Sequence, residues 1–175
     1  MQALTNFEVL RHVAASNQWM AIWPEMFLGF LALALLVLEM ALPKSRHDWI
    51  PRVAILGQLA LLLVLLVDYH APFLDQEVFA GLIRPTMMSQ FMRPFLLLTS
   101  ILVCGLATVI LPKQAVAKTE FYHIVLVVTA ALMLLVQSNH FVMLFVSLET
   151  ATVGFYILIS YFRRSPLSLE AGLKY

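Results

Sequence analysis

The sequence predicts an all-α membrane protein: a multi-pass bundle of about five transmembrane helices plus the start of a sixth, with its N-terminus outside. Three observations predict it. Hydrophobic residues make up 62% of the 175 positions and charged residues only 12%, where a soluble domain has about half and about a quarter. The mean hydropathy of +0.89 is more apolar surface than so small a core can hide, so lipid is the solvent for much of it. Apolar runs recur at a length that suits a bilayer core, which takes roughly 20 residues per helix, and basic residues collect on alternate connections.

The first predicted helix covers residues 24–42. Pro24 suits a first helical turn, Glu25 beside it complements the positive end of the dipole, and Pro43 with Lys44 gives a stop. Residues 52–69 form the second, with Gln58 as its only interior polar side chain and Asp68 and His70 marking its exit. The third covers 94–111 and the fourth 121–137, separated by a polar turn with Pro112, Lys113 and Lys118; the fifth covers 141–162. Between the second and third helices the chain is too interrupted by proline and charge to span, and the alternation around Val78 to Ile83 suggests a short hairpin. After Arg163, Arg164 and Pro166, a sixth helix begins at about residue 168 with Ser168 as its N-cap. All of this is one transmembrane domain.

Orientation follows from counting Lys and Arg near helix ends. Lys44, Arg46, Arg52, Lys113, Lys118, Arg163, Arg164 and Lys174 fall on one side, and Arg11, Arg84 and Arg93 on the other, which puts the N-terminus outside. The stretch before Trp23 carries Glu8, Arg11, His12 and Asn17 without the apolar core of a cleavable signal peptide. A net charge of +1 from scattered basic residues points away from nucleic acid. Cys104 is the only cysteine, so the chain alone forms no intrachain disulfide and holds no four-thiolate iron–sulfur cluster.

Glu149, near the middle of the fifth helix, is the main candidate for chemistry. A carboxylate facing lipid at that depth costs about 2.5–3.5 kcal/mol on insertion scales, so intramembrane acids usually face protein or water and carry function. At helical spacing its face includes Thr152, Tyr156 and Ser160, a polar seam leading toward the basic side. The opposite face, with Ser147, Thr150, Ala151 and Gly154, is small enough for close packing. Glu149 therefore either takes up and passes a proton, its protonation set by burial and neighbouring charge, or hydrogen-bonds a neighbouring helix as structural glue.

Other polar residues have plainer readings. Glu25 and Glu39 lie near the ends of the first helix, where capping and snorkelling account for them. His123 and His140 sit at predicted membrane boundaries, where interfacial hydrogen bonding is the expectation. Nothing stands at a metal-ligand or catalytic-motif spacing, and no glycine pattern marks a nucleotide site. The methionines of the 87–92 segment suit packing, and Glu170 with Lys174 an i, i+4 pair.

The stretch "FVMLFVSLETATVGFYILISYFRRSPLSLEAGLKY" resembles the fifth helix and the start of the sixth in the antiporter-like membrane subunits of respiratory complex I. It is most similar to subunit N of proton-pumping NADH–quinone oxidoreductase, called subunit 2 in chloroplasts and mitochondria, and "WPEMFLGFLALALLVLEM" resembles that family's Pro-Glu opening. The resemblance implies an N-terminal portion of a longer membrane-arm subunit, in which Glu149 pairs with a lysine on a seventh helix and couples quinone reduction to proton translocation. It further implies no cofactor in this chain, with flavin and iron–sulfur clusters in partner subunits and quinone used by the complex but not bound here. The implied partners are other membrane-arm subunits and the lipid bilayer, and the implied location is a bacterial inner (plasma) membrane, or an organellar one in a eukaryote. The alternatives are a subunit of a multisubunit sodium/proton antiporter or membrane-bound hydrogenase, and a non-catalytic structural membrane protein.

Overall fold

Residues 17–41, 49–67, 74–113, 118–162 and 165–174 are described by a computed structural model. Among them run α1 (Trp23–Ala41), entered through a 3-10 turn at Trp19–Ile22, α2 (Trp49–Val67), α3 (Met87–Ile110), α4 (Lys118–Leu135), α5 (Phe141–Ile159) and α6 (Pro166–Lys174). The architecture is the all-helical bundle that the sequence predicts, with no strand among the described residues. Helices α1, α2, α3 and α5 are long and apolar enough to cross a membrane, whereas the apolar part of α4, Thr119–Leu135, is shorter. The chain is a membrane protein.

The shortest of these five helices is the central one. Helix α4 packs between α1 and α5 and also touches α3 and α2, with Tyr122, Leu126 and Met133 buried against its neighbours. These residues recur at helical spacing on one face, and Val128 lies on the face toward α5. Most of α4 is buried or half-buried, and at its C-terminal end the polar groups of the turn are met by neighbouring chain. By contrast α5 buries only a narrow stripe, Ser147, Ala151 and Gly154.

Successive helices run up and down, which defines two ends of the bundle. At one end, here the hairpin end, lie the starts of α1, α3 and α5 and the α4–α5 turn. The expected pairing of Val78 with Ile83 forms, with Val78 N–H donating to Ile83 O at 2.9 Å, and Ile83 also bridges to Ser138. Arg84 N–H donates to Gln137 O and Asn139 N–H to Leu82 O, each at 2.9 Å, so the hairpin is stitched to the α4–α5 turn. Its tip takes left-handed backbone at Phe79 and Ala80 (both φ 54°) and at Gly81 (φ 83°). Only the glycine adopts this without cost. An edge-to-face contact of Phe79 with Trp19 and a 2.9 Å bond from Asn139 Nδ2 to Gly81 O hold the tip.

Several boundaries differ from those predicted. Helix α3 begins at Met87 rather than at residue 94 because Thr86 and Ser89 cap it reciprocally. Thr86 Oγ1 accepts from Ser89 N–H at 3.2 Å, and Ser89 Oγ accepts from Thr86 N–H at 2.9 Å. Pro94 then lies inside the helix, forfeiting one backbone bond. Thr86→Ala is expected to destabilise the bundle by about 1 kcal/mol, seen as a lower melting temperature in detergent. An unchanged melting temperature would show that the cap contributes nothing.

Ser168 is not the cap of α6. That helix begins at Pro166, and Ser168 Oγ instead donates to Ile159 O at 2.7 Å, fastening α6 to the end of α5. Glu170 and Lys174 form the expected exposed i, i+4 pair. His140 caps α5, its Nδ1 accepting from Val142 N–H. Arg11, Lys44, Arg46, Arg163 and Arg164, part of the basis for orientation, lie outside the described residues, as do Glu8, His12, Pro43, Asp68 and His70.

Candidate functional site

Glu149 is the ninth of nineteen residues in α5 and is exposed on the bundle surface. It lines a groove of about 600 Å³ along the joint of α4 and α5, with His123, Ile124, Val127 and Val128 on one wall and Thr150, Val153, Gly154 and Ile157 on the other. The groove exists because the small residues predicted to form a packing face do so: a Cβ on Gly154 would collide with Val128 Cγ2. The exception is Thr150, which lines the groove and returns its hydroxyl to Val146 O at 2.8 Å.

Of the polar seam, Thr152 and Tyr156 lie in α5 and Ser160 is its C-cap. Thr152 donates to Leu148 O at 2.7 Å and Ser160 to Tyr156 O at 2.8 Å, so both hydroxyl protons are committed to the backbone of α5. Such back-bonding is the usual way a membrane helix satisfies these side chains. Thr152, Tyr156 and Ser160 do not line the groove that Glu149 shares with His123. His123 is the other titratable residue in that lining, a placement that its position at a predicted helix end did not reveal. Its Nδ1 lies 3.0 Å from Ala32 O. Since a carbonyl only accepts, Nδ1 carries the proton in that bond, which leaves Nε2 as the basic nitrogen.

The structure also assembles a polar site that the sequence did not. Glu25 and Arg93 are 4% and 3% exposed. Arg93 Nε donates to Glu25 Oε1 at 2.8 Å, and its Nη2 donates to Glu25 Oε2, Ala21 O and Gln137 Oε1 at 3.2, 2.8 and 2.6 Å. Gln137 Nε2 closes the ring on Glu25 Oε1 at 2.8 Å. This corrects two readings. Glu25 does stand in the first turn of α1, but its carboxylate turns inward to an arginine rather than outward to water. Arg93 is not a loop charge but a buried side chain of α3, so it drops out of the count of basic residues at helix ends. Glu39 is half-buried near the end of α1. A second buried cluster joins α2, α3 and α4: Gln58 Nε2 donates to Cys104 Sγ at 3.3 Å, and Thr129 Oγ1 donates to Ser100 Oγ, one turn from Cys104 on α3, at 2.8 Å. Among the described residues no group of three or more His, Cys, Asp and Glu could hold a metal ion.

No family model matches the chain. Individual curated proteins do. The chain is 57% identical over 171 residues to "NADH-quinone oxidoreductase subunit N 1" of Opitutus terrae, an alignment covering 97% of the chain and 34% of that relative. It is 32% identical over 160 residues to "NADH-quinone oxidoreductase subunit N 2" of Syntrophobacter fumaroxidans, covering 90% of the chain and 32% of the relative. It is 31% identical over 155 residues to "NAD(P)H-quinone oxidoreductase subunit 2" of a Picosynechococcus, covering 89% and 29%. The chain thus spans about a third of the length of the curated relatives it matches. Over nearly all of its length, this chain is a homologue of subunit N and subunit 2 of the NADH– and NAD(P)H–quinone oxidoreductases.

Proposed function

We propose that the chain is part of a membrane-arm subunit of a proton-pumping NADH–quinone oxidoreductase, and that Glu149 takes part in proton translocation coupled to electron transfer from NADH to quinone. The observation that carries this is a carboxylate at the middle of an apolar helix, lining an interhelical groove, in a chain homologous to subunit N over 97% of its length. Intramembrane acids that face a cavity commonly serve ion and proton paths. His123, with Nε2 left as its basic nitrogen, supplies a second proton-exchanging group on the same groove. The chain itself performs no redox step in this reading. Flavin and iron–sulfur clusters belong to partner subunits, and quinone is used by the complex without binding here. The location is a bacterial inner membrane, or an organellar membrane in a eukaryote, with the hairpin end outside.

Glu149→Gln in the full-length subunit, within the assembled complex, tests this by removing charge while keeping shape. Proton uptake per NADH oxidised is expected to fall about tenfold or more, since a positioned proton-transfer group typically contributes at least that much. Proton pumping at the unaltered level in an intact complex would leave Glu149 as packing alone.

A further inference from the structure

The Glu25–Arg93–Gln137 node is bonded within itself on its carboxylate side. Both Glu25 oxygens accept, one of them twice, and every donor reaching them is itself buried. One helical turn inward from each node residue stands an apolar side chain: Leu28 below Glu25, Leu97 below Arg93 and Met133 below Gln137. All three are 0% exposed and belong to one buried cluster. Leu61 of α2 stands in the same cluster, one turn from Gln58 on its hairpin-end side. Below this layer lies the polar cluster of Gln58, Cys104, Ser100 and Thr129, in which Gln58 Oε1 is buried without a hydrogen-bond partner. An unpaired buried oxygen draws water wherever water has a path.

We propose that the node and the Leu28–Leu97–Met133 layer beneath it form a seal, which keeps water and ions at the hairpin end out of the polar cluster in the core of the bundle. The node fills the hairpin end with a mutually neutralised, buried ion pair, and a layer of apolar side chains beneath it stays dry. A plain packing role explains the node less well, because a buried ion pair usually gives no more stability than apolar residues of similar volume. The seal needs only that the chain spans a membrane, so its failure and the failure of the role proposed for Glu149 are read separately.

The test uses membranes carrying the full-length protein in its complex, without NADH, so that no pumping contributes. Leu97→Ser and Met133→Ser, singly and together, place hydroxyls in the dry layer, and Leu97→Ile serves as the apolar control. Two quantities are measured. One is passive proton entry after an imposed pH step, followed with an enclosed dye. The other is modification of Cys104 by a small cationic methanethiosulfonate added at the hairpin-end face, read by mass spectrometry of its peptide. The serine variants are expected to raise both several-fold over the unaltered protein and the isoleucine control. An assembled serine variant with unchanged proton entry overturns the seal. So does faster proton entry without Cys104 modification, since water then enters elsewhere, or modification without proton entry. If the serine variants do not assemble, the unaltered protein still decides: rapid modification of its Cys104 from the hairpin-end face refutes the seal, and protection against a reagent that labels it after detergent unfolding supports it.

Discussion

Arg93→Met is expected to lower the stability of the bundle by about 3–5 kcal/mol, the usual cost of removing one partner from a buried ion pair. The loss comes from what stays behind. Glu25 and Gln137 keep their buried positions, and Ala21 O and Gln137 Oε1 lose the donor that satisfied them. Replacing all three node side chains with apolar ones, Glu25→Leu with Arg93→Met and Gln137→Leu, is expected to recover most of that loss, because Ala21 O is then the one node group left without its donor. Unfolding in mixed micelles, titrated with a denaturing detergent and followed by helical circular dichroism, measures both. A single variant no less stable than the triple one would mean that the node is not held by mutual satisfaction.

The second large effect is expected at the joint of α4 and α5. Gly154→Val places two methyl groups where Val128 Cγ2 already stands, and Val128, branched at Cβ, has little rotameric freedom to withdraw. The cost is expected to be about 1–3 kcal/mol, typical of overpacking in a well-filled interior. Part of it should return when Val128→Ala is added, giving a coupling of about 0.5 kcal/mol or more between the two positions. The same micelle titration checks this, and strict additivity would show that the two helices adjust elsewhere. Because Gly154 and Val128 both line the groove of Glu149, Gly154→Val is also expected to reduce proton pumping if Glu149 acts as proposed, and Val128→Ala to restore part of it.

The bundle was legible in the sequence wherever one property varied along the chain. Apolar runs gave the helices, and the alternation at Val78–Ile83 gave the hairpin because its partner lies five residues away. Small residues at Ser147, Ala151 and Gly154 marked the packing face of α5, since close approach depends on side-chain size alone. The start of α3 was hidden for a local reason. Its capping box uses Ser89 at the position where glutamate or glutamine is the recognisable signal, so Pro94 looked like the first turn. The node was hidden for a topological one. Glu25 and Arg93 lie 68 residues apart and Gln137 lies 44 beyond Arg93, and each had a sufficient explanation from its own neighbours. Three polar residues, each one turn from a fully buried apolar residue, become a site only once α1, α3 and α4 are known to meet at one end. Glu149 could be placed on α5 from the sequence, but not its sharing of a groove with His123, which depends on how α4 rotates against α5.

The separation of the node residues along the chain has a consequence for biosynthesis. At a synthesis rate of about 5–20 residues per second, the 68 residues between Glu25 and Arg93 take roughly 3–14 s to make. During that time the ribosome has delivered α1 without its cation. Gln137 and the turn that stitches down the hairpin emerge later still. The ring of hydrogen bonds can therefore close only after α4 has been made, and until then the nascent helices lack the contact that holds them at the hairpin end.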